Sequence, residues 1–132
     1  ADVIPVDIGM NTEEHVTGVL SLKVAKGTKN FAKEPVMTEE EVLQAMGIGM
    51  ELVRQCKEEG YRLIGTGEMG IGNTTTSSAV IAALLRCPAE KIVGKGAGLS
   101  EEGLAKKKQI VTEAIQKYQF IVGTEEDVTD SF

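Results

Sequence analysis

From Thr38 onward, Val42, Ala45, Met46, Gly49, Leu52, Val53 and Cys56 recur at three- and four-residue intervals. That period puts them on one face of a helix. Thr38 and Glu41 read as a T-x-x-E capping box, in which each side chain satisfies a backbone donor of the other residue. Gly60 is suited to end the element, so the spacing predicts an amphipathic helix over 38–59. On its inward face, the small Gly49 would admit a neighbouring backbone. Upstream, VIPVDI (Val3 to Ile8) reads as a buried strand, with Pro5 unable to donate to a ladder. Residues 9–37 carry little periodicity and are expected to be loop, with a short helix near Val16 to Ala25. Downstream, Tyr61 to Thr66 reads as a strand and 67–72 as a loop. A helix then runs from about Asn73 to Leu85, and its SSAVIAALL run reads as a buried helix. Pro88 opens a turn, Lys91 to Val93 reads as a short strand, and GKGAG forms a second glycine loop from Gly94 to Gly98. Ser100 is a plausible N-cap for a helix to Tyr118, with Leu104, Val111, Ala114, Ile115 and Tyr118 facing inward. The end, QFIVGTEEDVTDSF, suggests one strand and an acidic tail.

Strand and helix therefore alternate, the order of an α/β fold: a Rossmann-like parallel sheet with flanking helices. Three or four strands are too few to cover both faces and the edges of such a sheet. The expectation is an incomplete portion of a larger domain that self-associates or meets a companion segment. Residues 1–118 would form this core, and 119–132 a separate tail.

Composition narrows the function. The chain has 132 residues, suiting one domain, and 42% are hydrophobic with only 4% aromatic, so the core should be aliphatic. A net charge of −6 argues against a general nucleic-acid or membrane-surface binder. No apolar run is long enough to span a bilayer, and ADVIPVD does not resemble a signal peptide. Cys56 and Cys87 are isolated and read as buried or half-buried thiols of a cytoplasmic protein. The single histidine, His15, reads as a loop residue, and no metal site is expected. Lys106-Lys107-Lys108 is a short basic cluster that suits either a local anion site or a solvated helix face.

Eight of the fifteen glycines fall between Gly60 and Gly98, concentrated at two junctions that each lead into a helix. Helix N-termini at the carboxyl edge of a parallel sheet offer unpaired N–H groups and a partial positive charge. Glycine lets a ligand come close to the backbone. Asn73, Thr74, Thr75 and Thr76 add short polar groups. A phosphate ester fits this pattern; the alternative is that the glycines only make tight turns. Gly65, Gly67 and Gly70 match G-x-G-x-x-G, a weak signal on its own. A dinucleotide site would leave Glu68 and the second loop unexplained, and a Walker A motif is absent.

The string GTGEMGIGNTTTSSAVIAALL resembles the central segment of the nicotinate-nucleotide–dimethylbenzimidazole phosphoribosyltransferases. VDIGM, KGTKNFAKEPVMTEEE and VGKGAGLSEEGLAKK are similar to further family segments, in the same order, so the likeness covers about residues 3–117. The resemblance implies transfer of the phosphoribosyl group of nicotinate mononucleotide to a nitrogen of 5,6-dimethylbenzimidazole, with inversion at the sugar carbon. It implies no cofactor or metal, and a homodimer with a Rossmann-type domain. By position, Gly67, Glu68, Met69, Gly70, Ile71, Gly72 and Asn73 would line the mononucleotide site, with Gly94 and Gly96 flanking it. Glu68 would hold the ribose hydroxyls or stabilise positive charge at the sugar carbon, and Lys107 would pair with the phosphate.

Departures from the family leave alternatives open. Family members are more than twice as long, and their general base is a glutamate in a later glycine-rich segment. No second G-E-G stretch occurs here, so the catalytic base is unassigned and Glu68 is only supporting. The alternatives are a catalytically incomplete protein that binds a phosphate ester or nucleotide, and a dinucleotide-binding oxidoreductase.

Overall fold

A computed structural model describes residues 1–118; the strand and acidic tail expected after Tyr118 lie outside the described residues. The chain forms two compact units, Ala1–Thr66 and a second beginning at Gly67.

In the first unit, β1 (Val6–Asp7) pairs in parallel with β2 (Leu20–Ser21), with Val6 opposite Leu20 and Asp7 opposite Ser21. The pairing continues past the strands: Leu20 N–H donates to the Pro5 carbonyl at 2.9 Å, Leu22 to Asp7 at 2.9 Å, and Val24 to Ile8 at 3.0 Å. Pro5 fits because only its carbonyl is used. The expected helix over Val16 to Ala25 does not form, since these backbone donors go across to β1 and not to the i−4 carbonyls. Nor is Val3 to Ile8 a buried strand: only Asp7 in it is buried, and Val3 and Ile8 are exposed. The Asp7 carboxylate accepts N–H groups of Gly9 at 3.1 Å and Met10 at 2.7 Å and pairs with Lys23 at 3.1 Å. Lys23 also donates to the Thr12 carbonyl at 2.6 Å, so this knot fixes the loop that leaves β1.

Helix α1 (Glu39–Glu58) has the predicted capping box. Glu41 N–H donates to Thr38 Oγ1 at 3.2 Å, and Thr38 N–H donates to Glu41 Oε2 at 2.7 Å. Gly60, at φ +91°, closes a Schellman turn: Gly60 N–H reaches the Lys57 carbonyl and Tyr61 N–H the Cys56 carbonyl. The helical period is as predicted, but the inward face is not a packed core. Cys56 alone is buried, whereas Val42, Met46 and Val53 are exposed. A Cβ at Gly49 would meet nothing within 4 Å, so the close backbone approach expected there is not found among the described residues. Tyr61 to Thr66 is likewise not a strand; no described strand pairs with it, and Leu63 is exposed.

The second unit packs α2 (Asn73–Leu84), α3 (Ala89–Ile92) and α4 (Glu101–Lys117) against one another. Lys91 to Val93, expected as a strand, instead belongs to the one-turn α3 and its end. Pro88 at φ −57° precedes its first residue, and Val93 N–H returns to the Ala89 carbonyl at 2.8 Å. Helix α2 is one-sided: Ser78 and Ala82 are buried while Val80, Ile81, Leu84 and the following Leu85 are exposed, so it is not the buried helix expected. Its buried residues are small, which lets α4 approach closely. On α4, Val111 and Ala114 are buried and Leu104, Ile115 and Tyr118 half-buried, as the spacing predicted. Ser100 caps this helix through Gly103 N–H at 3.1 Å.

Helices with a parallel strand pair agree with the α/β class. The sheet among the described residues has two strands, not three or four. His15 is exposed in a loop; both cysteines are free, Cys56 buried and Cys87 half-buried. No described helix is long and apolar enough to cross a membrane.

Candidate anion site at two glycine loops

The two glycine loops of the second unit meet the first turn of α2, one at Asn73 and the other at Thr74. In the first loop, the Glu68 carboxylate accepts the Gly70 N–H at 2.7 Å. A Cβ on Gly70 would lie 3.3 Å from that carboxylate oxygen and 3.7 Å from the Asn73 Cβ, so glycine is what leaves room here. Gly72 is the N-cap of α2 at φ +83°, a conformation that favours glycine. It provides no side-chain cap, and the first turn satisfies itself by other means. Asn73 N–H reaches the Gly70 carbonyl at 3.2 Å, and Thr75 and Thr76 N–H reach the Gly72 carbonyl at 2.9 and 3.3 Å. Asn73 Oδ1 accepts the Ser77 hydroxyl at 3.1 Å. Thr74 is the exception: among the described residues no acceptor takes its backbone N–H.

In the second loop, Gly96 sits at φ +61° and Gly98 at φ +101°. Beneath it, the Lys107 ammonium donates to the Gly94 carbonyl at 3.0 Å and to Thr74 Oγ1 at 2.9 Å. Lys107 is only 6% exposed, which rules out the alternative of a solvated surface charge. The position follows from helical periodicity: Lys107, Val111 and Ala114 form the buried stripe of α4, and Thr74, Ser78 and Ala82 recur every four residues on α2. Gly96 completes the arrangement. A Cβ there would come within 2.8 Å of Thr74 Oγ1 and 3.6 Å of Lys107 Nζ. Lys106, in contrast, is exposed, and the neighbouring Lys95 is paired with Glu101.

Among the described residues no carboxylate pairs with Lys107. A buried ammonium lacking a counter-charge costs on the order of several kcal/mol, only partly offset by neutral acceptors. The N-terminal end of α2 adds partial positive charge beside it. Such a place favours an anion with several acceptor oxygens.

Of the residues predicted from sequence, the structure brings Gly94, Gly96 and Lys107 together at Thr74, and Glu68, Gly70, Gly72 and Asn73 together around the start of α2. Gly67, Met69 and Ile71 stand out in solvent. Thr74 was visible in sequence only as one of three consecutive threonines. Which of them faces Lys107 depends on how α2 packs on α4, and sequence spacing does not carry that information.

Comparisons with known proteins give the family. A family model described as Phosphoribosyltransferase matches residues 1–130. The nicotinate-nucleotide–dimethylbenzimidazole phosphoribosyltransferase of Clostridium perfringens strain 13 is 50% identical over 117 residues, which is 89% of this chain and 32% of that protein. Its counterpart in Clostridium tetani is 53% identical over 116 residues, 88% of this chain and 32% of that one. Among solved structures, CobT from Thermus thermophilus superposes with a TM-score of 0.80 at 43% identity, covering 86% of this chain and 34% of that one. The chain thus spans about a third of the length of the relatives it matches.

Proposed function

The chain belongs to the phosphoribosyltransferase family, and on that basis we propose that it forms the mononucleotide-binding part of an enzyme of cobalamin lower-ligand synthesis. That enzyme moves the phosphoribosyl group of nicotinate mononucleotide to 5,6-dimethylbenzimidazole. The bond between the sugar carbon and the pyridinium nitrogen breaks, and nicotinate leaves with the electron pair. The lone pair of the unprotonated benzimidazole nitrogen forms a bond on the opposite face, and the ring's other nitrogen gives its proton to a general base. The products are α-ribazole phosphate and nicotinate.

Lys107 carries this reading. Its buried ammonium, held between Thr74 and Gly94 with no described carboxylate partner, is suited to a phosphate ester at the α2 N-terminus. Gly96 leaves room for Thr74 beside it, and Met69 and Ile71 are exposed and free to pack against the nucleotide's flat ring. Glu68 is exposed at the loop and can turn to the ribose hydroxyls or to charge growing at the sugar carbon. The base and the aromatic acceptor pocket have no candidate in this chain. The parallel pairing of β1 with β2 fits part of a Rossmann-like sheet, and the exposed apolar face of α1 fits a homodimer or a companion segment. A cytoplasmic location suits both substrates.

A second reading is binding of the mononucleotide without turnover. Calorimetry with nicotinate mononucleotide, α-ribazole phosphate and NAD, followed by an assay for nicotinate release with dimethylbenzimidazole, separates the possibilities. The mononucleotide is expected to bind in preference to NAD. Release of nicotinate identifies the transferase, binding alone identifies the incomplete protein, and preference for NAD overturns both in favour of a dinucleotide enzyme.

A further inference from the structure

We propose that Thr74 is a further phosphate-binding residue, which both positions the Lys107 ammonium and donates its own hydroxyl to the ester. This rests on the mononucleotide reading above. Thr74 Oγ1 accepts a hydrogen from Lys107 at 2.9 Å. A hydroxyl that accepts from an ammonium must turn its own O–H away from it. Among the described residues no acceptor takes that O–H, and none takes the Thr74 backbone N–H. One residue therefore offers two unused donors directly beside a buried cation that lacks a counter-charge. Two of the three ammonium hydrogens are engaged, by Thr74 and Gly94. The third, with the two donors of Thr74, suits an oxyanion bearing three acceptor oxygens.

The neighbours are arranged to hold this hydroxyl in place. The Ser78 hydroxyl donates to the Thr74 carbonyl at 2.6 Å, which fixes the backbone one turn below. Gly96 leaves the space that the Thr74 side chain occupies, since any Cβ there would press to within 2.8 Å of Oγ1. Thr76 is placed differently: its Oγ1 donates to the Asn73 carbonyl at 3.0 Å within the helix, and so its hydroxyl proton is already used.

The test is calorimetric titration of nicotinate mononucleotide, and separately of inorganic phosphate, into the full chain and its Thr74→Val and Thr74→Ser variants. Valine keeps the shape and removes the hydroxyl, while serine keeps the hydroxyl and removes a methyl. Thr74→Val is expected to weaken both ligands about ten-fold, and Thr74→Ser by no more than about two-fold. In a Lys107→Met background the Thr74→Val loss should shrink, because the two residues act through one contact. Gly96→Ala, which crowds the hydroxyl without removing it, should reproduce the Thr74→Val loss and gives a reading even if the valine variant folds poorly. Equal affinity in Thr74→Val and parent, or equal losses in the valine and serine variants, overturns the role of the hydroxyl and leaves the mononucleotide reading standing. A parent chain that binds neither ligand overturns both.

Discussion

The Glu68 carboxylate accepts the Gly70 N–H at 2.7 Å, so the first glycine loop supplies an anion of its own to one of its amides. A ligand that takes that amide must displace Glu68, and the released carboxylate is then free to turn to ribose hydroxyls. The space above Gly70 decides whether this exchange can happen, because a Cβ added there would lie only 3.3 Å from the carboxylate oxygen. Gly70→Val, whose branched side chain fills that space, is expected to weaken nicotinate mononucleotide binding by more than about ten-fold. The helical signal and thermal midpoint should stay close to those of the parent, since Gly70 is exposed. Calorimetry with circular dichroism checks this, and unaltered affinity would reduce the loop to a turn.

Lys107→Met separates binding from stability. Methionine keeps an unbranched chain of similar reach and removes the buried charge. Affinity for the mononucleotide should fall by about ten- to a hundred-fold, the scale of a lost charge-assisted contact. Stability should not fall and is expected to rise by up to about 1 kcal/mol, because an unpaired buried ammonium no longer has to be desolvated. Denaturant melts with and without ligand measure both effects; a large loss of stability in the ligand-free protein would make Lys107 a structural residue.

The capping box of α1 gives a prediction independent of the site. Thr38→Ala removes the acceptor of Glu41 N–H and should destabilise the chain by about 1 kcal/mol. In a double-mutant cycle, Glu41→Ala should couple to it, since the bonds at 3.2 and 2.7 Å are reciprocal. Urea unfolding of the four variants tests the coupling.

Acid should loosen the loop after β1. The N–H of Met10, foremost, and then Lys23 and the Gly9 N–H hold Asp7 below its ordinary carboxylate value, against the opposing effect of burial. A carboxylate depressed in the folded state contributes stability that is present above its unfolded pKa of about 3.9 and is lost as pH falls through the folded value. Stability should therefore decline below about pH 4, and Asp7→Asn should flatten that decline while lowering stability at neutral pH. Glu51, held at about 2 by hydrogen bonds from Arg54 and then Gln55, acts in the same direction. It is exposed and screened, so its share should fade in high salt. Chemical denaturation between pH 2 and 7 reads the slope.

Local chemistry made the helices legible. Thr38 with Glu41, Gly60 and Ser100 mark ends that need no distant partner, and the structure has them where the spacing put them. The strands were poorly legible because a strand exists only by pairing. Tyr61 to Thr66 has the apolar look of one but no described ladder, while Leu20–Ser21, expected within a short helix, pairs with β1. The three-residue run ending at Val93 was too short for period to decide, and Pro88 tipped it into a helical turn. Around the anion site, the glycines were readable from their number and place. Lys107 was named through family resemblance, whereas its burial on the stripe with Val111 and Ala114 emerged only from the packing of α4. The bond between Thr74 and Lys107 was not readable, because it arises from the contact between α2 and α4.

Met69 stands in full solvent between Glu68 and Gly70, the most exposed of the five methionines at 100%. Peroxide should reach its thioether before the shielded sulfur of Cys56, converting an oily arm into a polar, chiral sulfoxide. Ageing in air would thereby be written first into the first glycine loop, and only a reductase that recognises sulfoxides could erase it.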